Sequence, residues 1–221
     1  MAASSQFRLN VGLALAMMDV EHQNQPLLID MDSKYKEPHS YCHFCGCKYI
    51  GENAATWPRK CSWYVCSKTV WKNPLPVVVA LIPVMPGTLS NPGPVIFHPE
   101  TFIPVNVGVL AVRRAIPPDV GKLALPSGYV DDLEDWREAA MRELEEETEL
   151  SFKEDDLELF DVVASKNKKH TLIIFETKPI FREEISFVMN DEVIEIVVVK
   201  DPTELVWDVH QLMTKRLFKT L

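Results

Sequence analysis

Residues 128–150 read GYVDDLEDWREAAMRELEEETEL, and the fold turns on how this stretch is taken. It holds most of the charge of the chain. From Asp131 to Glu149 there are ten acids against two bases, Arg137 and Arg142, while the whole 221-residue chain has a formal charge of −9. The spacing predicts a helix with Asp131 or Asp132 as its N-cap, because a carboxylate there accepts from the first free N–H groups and suits the helix dipole. At about 100° per residue, Glu143, Glu146 and Glu147 share one arc of roughly 100°. Leu133, Ala140, Met141 and Leu144 form the adjoining buried stripe, and Glu134, Glu138, Arg142, Glu145 and Glu149 face water. Three carboxylates therefore border the core with no Lys or Arg on their own face. Like charges at this spacing repel. Divalent cations relieve the repulsion, and hard carboxylate oxygens suit Mg²⁺ or Mn²⁺. The alternative reading is a solvated acidic helix.

Working upstream, Val77–Val84 (VVVALIPV) reads as a strand buried on both faces. Residues 85–104 are rich in proline and form a long loop or an extended hairpin tip. Val105–Val112 is a second strand, ending in Arg113-Arg114, and Leu123–Leu125 is a short third one before the turn Pro126-Ser127-Gly128. Downstream, strands fall around 157–164 and 171–177, joined by the basic turn Lys166-Asn167-Lys168-Lys169. Val193–Val199 is another strand, and a last helix starts near Pro202-Thr203 and runs towards Phe218. The order has no simple βαβ rhythm, so the expected class is α/β with a mixed sheet and helices on both faces. Lys166, Lys168, Lys169 and the pair Arg113/Arg114 suit phosphate, the alternative being ordinary exposed basic turns.

The cysteines are confined to residues 42–66. Cys42-x2-Cys45 is followed, after fifteen residues, by Cys61-x4-Cys66. Two pairs on tight turns match a closed, four-thiolate structural zinc site. Cys47 is spare, and His43 lies inside the first turn. This usage suggests a reducing compartment, and the cytoplasm is the expected location. The apolar run Val11–Met18 is too short to span a bilayer and lacks a basic leader, so no membrane association is expected. The division expected is 1–36 as an N-terminal extension, 37–74 as a zinc ribbon and 75–221 as the main domain. The acidic balance argues against a broad basic coat for nucleic acid. Lys48, Arg59, Lys60, Lys68 and Lys72 nevertheless lie among Tyr and Trp in the ribbon, a pattern that suits a nucleic-acid surface or a soluble small module.

The spacing Gly128, five residues, Glu134, seven residues, Arg142-Glu143-Leu144-Glu145-Glu146-Glu147 resembles the Nudix box, G-x5-E-x7-R-E-U-x-E-E-x-G-U with U apolar. Leu150 also matches, and Glu149 replaces the second Gly. The resemblance extends over roughly residues 75–205. It implies a Nudix α/β/α sandwich in which Glu146 and Glu147, with the Gly128 carbonyl, ligate Mg²⁺ or Mn²⁺. Glu143 would be a ligand or the general base, and Arg142 and Glu134 would brace the loop and helix. Relatives often add an acid from a later loop, for which Glu192 is favoured over Asp191 and Glu195. Glu149 implies altered geometry at the helix end. A zinc ribbon placed before such a domain looks like the branch that contains the NADH, ADP-ribose and FAD pyrophosphatases. The motif SQPWPFPxS of the NADH enzymes is missing, and the corresponding residues read Val162-Val163-Ala164-Ser165-Lys166-Asn167-Lys168. The activity implied is hydrolysis of a nucleoside-diphosphate-linked compound of ADP-ribose, FAD or NADH type into two monophosphates, by a protein that often pairs as a homodimer. The competing readings are a catalytically weak binding protein and an enzyme that decaps nucleotide-capped RNA.

Overall fold

The computed structural model describes residues 40–102 and 104–221. The expectations for residues 1–36 lie outside the described residues. The chain divides into two compact units, Met1–Lys72 and Asn73–Leu221.

In the first unit a short helix, α1 (Glu52–Ala55), precedes two antiparallel strands, β1 (Arg59–Lys60) and β2 (Thr69–Val70). Its buried apolar residues are Cys42, Tyr49, Cys61 and Val70. A core this small needs a staple.

The second unit holds two mixed sheets. The run 77–84 is not one strand but two, β3 (Leu75–Leu81) and β4 (Pro83–Met85). The chain changes sheets at Ile82, and Pro83 has no N–H with which to continue the first ladder. One sheet runs β7 (Ser127–Tyr129), β3, β9 (His170–Thr177), β8 (Leu157–Ala164), with β3 parallel to β9. The other runs β10 (Ile180–Phe181), β4, β5 (Gly108–Arg114), β11 (Val193–Val199), with β6 (Leu123–Ala124) also on β5. Residues 85–104 join the antiparallel pair β4 and β5. Asn106 pins this loop, its Oδ1 accepting from the Ile96 N–H at 2.8 Å and its Nδ2 donating to the Pro94 carbonyl at 2.8 Å.

Successive residues of β3 serve opposite cores. Val79 and Leu81 pack with Met213 and Leu217 of α3 (Asp208–Leu217), while Val78 and Ala80 pack with Ala139, Ala140 and Leu144 of α2 (Trp136–Thr148). That alternation explains the continuous apolar run, since both faces are covered. The two helices lie on opposite faces, giving a Nudix-like α/β/α fold. Burying a side chain such as Leu144 contributes roughly 2 kcal/mol.

The carboxylate helix starts later than expected. Its N-cap is Asp135, not Asp131 or Asp132. Asp135 accepts from the Arg137 and Glu138 N–H groups, and the Glu138 side chain accepts from the Asp135 N–H, a reciprocal capping box. Leu133 precedes the helix in a left-handed conformation and is 96% exposed, so it does not belong to the buried stripe. At the far end Glu149 has φ 58° and ψ 15°. The left-handed terminus suited to Gly is therefore kept, not altered. A 3₁₀ turn, Pro202–Glu204, precedes the last helix, which itself begins at Asp208. Among the described residues, no helix is long and apolar enough to cross a membrane.

Candidate active site

The carboxylates of α2 meet the turn that leads into β7. In β7 Gly128 pairs with Val78, and its Cα faces the helix. A Cβ there would lie 1.9 Å from Cδ of Glu143. Only glycine allows this approach of backbone to carboxylate. One residue earlier, the Ser127 N–H donates to Glu147 Oε2 at 2.8 Å. Glu147 is 5% exposed. Its burial pushes the carboxyl up to about 8, with the Ser127 N–H opposing and the charges of Glu143 and Glu192 adding to the rise. Burial raises Glu143 as well, against the pull of Arg142 and with the help of Glu146 and Glu192. Glu146 is exposed.

Arg142 does not stay on the wet side. Its Nε and Nη2 donate to the two oxygens of Glu134 at 2.7 and 2.9 Å. Its Nη1 reaches Glu143 Oε1 at 2.7 Å and Glu146 Oε2 at 3.1 Å. Its Nη2 also donates to the Tyr129 carbonyl at 2.9 Å. A wheel plots Cα directions, and a guanidinium on a long flexible stem reaches across such an arc. The triad thus has a cation on its rim. The bidentate partner holds the Glu134 carboxyl down at about 2.

The loop before β11 brings the later acid. Asn190 Nδ2 donates to the Glu146 carbonyl at 2.8 Å, and its Oδ1 accepts from the Glu192 and Val193 N–H groups. This tie sets Glu192 close enough for its charge to act on both Glu143 and Glu147. Glu195 is turned away, paired with Arg113 at 2.7 Å. Arg113 is therefore engaged, and Arg114 donates to the Pro118 carbonyl at 2.8 Å and stacks over Trp207. Lys166 pairs with Asp208. Arg114, one of the bases expected to suit phosphate, is buried, and the residues that sequence reading missed are Asn190 and the buried His210, because an isolated polar residue carries no periodic signal.

The four thiols Cys42, Cys45, Cys61 and Cys66 converge in the first unit, their sulfurs all within 4.8 Å of one another. Among the described residues the carboxylates form no set of three so close. Backbone N–H groups at i+2, of Phe44, Trp63 and Lys68, point at the sulfurs of Cys42, Cys61 and Cys66. Against the cost of burial, the Phe44 and Cys45 N–H groups bring Cys42 down to about 7. Burial pushes Cys61 up to about 12. A closed cage of sulfurs with amides aimed at them fits a tetrahedral thiophilic cation. Cys47 and His43 are not part of it.

The model of the NUDIX domain matches residues 101–219. No curated protein matches the chain. Among solved structures, the chain is similar to a NUDIX hydrolase from Nitrosomonas europaea, with 19% identity, a TM-score of 0.54, and coverage of 81% of this chain and 90% of that one. It is also similar to the NUDIX domain of Shewanella oneidensis NrtR complexed with ADP ribose, with 17% identity, a TM-score of 0.49, and coverage of 68% and 91%. A third similar structure is a C. elegans Ap4A hydrolase, with 13% identity, a TM-score of 0.47, and coverage of 65% and 96%.

Proposed function

The chain belongs to the NUDIX domain family, and from that premise we propose that it is a Mg²⁺- or Mn²⁺-dependent pyrophosphohydrolase. Its substrate would be a nucleoside-diphosphate-linked compound of ADP-ribose, FAD or NADH type, cleaved into two monophosphates. The observation that carries this reading is the buried carboxylate of Glu147, which accepts from the Ser127 N–H and lies within reach of the charges of Glu143 and Glu192.

The donors fit a hard divalent cation. They are carboxylate oxygens, buried at Glu147 and exposed at Glu146 and Glu192, with a backbone carbonyl at Gly128 and no side chain there to obstruct. Glu146, Glu147, Glu192 and the Gly128 carbonyl would hold the ions. When bound, such ions neutralise pyrophosphate oxygens and lower the pKa of the attacking water. Glu143 is taken as the general base or a further ligand. Burial raises its carboxyl, which makes it a better proton acceptor than a solvated one, and Arg142 fixes its direction. Glu134 holds Arg142 in place. Zinc is assigned to the four thiols with a structural role alone. All five cysteines are free thiols, which supports a reducing compartment such as the cytoplasm. A homodimer is part of the proposal, and sedimentation checks it.

The ribbon favours one second reading. Between Cys42 and Lys72 it has five bases and one acid, with Phe44, Tyr64 and Trp71 exposed. That reading is decapping of nucleotide-capped RNA, whose cap holds the same pyrophosphate, with the ribbon as a module of a composition that suits single-stranded RNA.

The test is a panel of ADP-ribose, FAD, NADH, dinucleoside polyphosphates and nucleotide-capped RNA with Mg²⁺ or Mn²⁺. Glu146→Gln and Glu147→Gln serve as controls. Release of two monophosphates, lost in both variants, is expected. Absence of turnover on every compound would sink the enzyme reading, and turnover that survives both substitutions would sink the site assignment.

A further inference from the structure

His210 lies on the inner face of α3, 2% exposed, and has no part in the chemistry above. A polar ring buried this deeply needs partners. Its Nδ1 accepts from the Leu125 N–H at 3.0 Å. The edge of the ring meets the face-to-edge partner Trp207 with centroids 4.8 Å apart at 89°. Trp207 is itself held, its Nε1 donating to Asp119 Oδ2 at 3.1 Å and its ring lying under the Arg114 guanidinium. Burial, and then the charge of Arg114, keep the imidazole neutral at physiological pH. The ring is thus locked from behind and presents a fixed acceptor.

What it accepts from matters. Leu125 is fully buried and stands between β6 and β7. The next residue, Pro126, lends its carbonyl to the Ala80 N–H of β3 at 2.9 Å. Ser127 donates to Glu147, and Gly128 lies against Glu143. Four consecutive residues are therefore anchored in turn to α3, β3, α2 and α2. On the side away from the carboxylates the Leu125 side chain packs with Leu205, Met213 and Leu217, and the polar tie of its backbone is the one to the His210 nitrogen.

We propose that His210 is a positioning residue, through which the C-terminal helix sets the height of the Leu125–Gly128 turn against Glu143 and Glu147. The pin acts on the turn, not on substrate. Its effect on turnover rests on the hydrolase reading, while its effect on the turn does not.

The test uses the full chain with His210→Leu, which keeps much of the volume and removes the acceptor, and His210→Asn, whose Oδ1 can stand near the place of Nδ1. In the unmodified protein, nitrogen NMR of the imidazole is expected to show an unprotonated Nδ1. A protonated Nδ1 would overturn the proposal without any variant. In His210→Leu, hydrogen exchange is expected to rise at Leu125 and Ser127 but not at the β9 amides. Mn²⁺ affinity and kcat are each expected to fall about 10- to 100-fold, with KM for the nucleotide little changed. His210→Asn is expected to restore most of both. Unchanged exchange at Leu125, or a rise spread evenly over the second unit, would overturn the proposal. So would a local rise that left Mn²⁺ affinity intact. If no compound is turned over at all, the hydrolase reading fails, but exchange and Mn²⁺ titration still decide the role of His210.

Discussion

A glycine and a histidine show how much depends on single positions here. At Gly128 an added methyl would meet three atoms of the Glu143 carboxylate, all within 2.1 Å. These atoms are the far end of a side chain, so Glu143 yields and the backbone stays. Gly128→Ala is expected to change stability by about 1 kcal/mol or less. It should lower turnover about 100-fold, because the carboxylate is displaced by an ångström or more. Thermal denaturation alongside kcat checks both halves, and a large loss of stability would show that the turn moves instead. His210 gives a pH dependence of known sign. Its folded pKa is depressed to about 3 from 6.5, by burial and then by Arg114, the charged group that acts on it. The folded state thus binds fewer protons than the unfolded state between those values. The contribution is present above pH 6.5 and is lost as pH falls towards 3. Urea denaturation from pH 7 to 4 should therefore be less steeply pH-dependent in His210→Asn than in the unmodified protein. The difference should be on the order of a few kcal/mol over the range.

Helix α2 shows which element features were legible. Its carboxylate spacing and the apolar positions Ala140 and Leu144 could be read from periodicity, and the structure buries both. The start could not. Asp131 has Glu134 three residues on as Asp135 has Glu138, and the Asp131 N–H does donate to Glu134 Oε2 at 2.9 Å, so the pattern alone did not single out Asp135, where the reciprocal box closes. The reach of Arg142 was hidden because a wheel assigns faces to Cα atoms and not to guanidinium groups. The split of the run 77–84 was hidden because both halves are buried on two faces. The end of α2 carries a prediction. Glu149 holds a left-handed conformation, which costs a non-glycine residue about 1 kcal/mol. Its Oε1 accepts from the exposed Val188 N–H at 3.2 Å, a bond that returns little. Glu149→Gly should therefore raise stability by about 0.5–1 kcal/mol, read as a higher denaturation midpoint at unchanged slope. A lower midpoint would mean that the tie to Val188 outweighs the backbone strain.

For the whole molecule, the formal charge of −9 has two unequal sources. The second unit carries the acidic helix, and the first has an excess of bases. The two units also stand on different supports. The second has two apolar clusters, one on each side of its sheets. Among its described residues the first has four buried apolar ones, two of them cysteines. A core this small needs a metal or a disulfide as a staple, and these cysteines are free thiols. Purified protein should therefore contain about one zinc per chain, because the four sulfurs form one closed set. Stripping it with a chelator and then restoring Mn²⁺ alone should release the first unit, because binding free energy at such a site is folding free energy. Hydrogen exchange should then rise across residues 40–72 and stay low in β3, β5 and β9. Thermal unfolding should lose two-state character. Turnover of a small nucleotide should survive, since every acid proposed for catalysis lies in the second unit. Loss of turnover that Mn²⁺ does not restore, with β3 and β9 still protected, would show that the zinc unit serves the reaction.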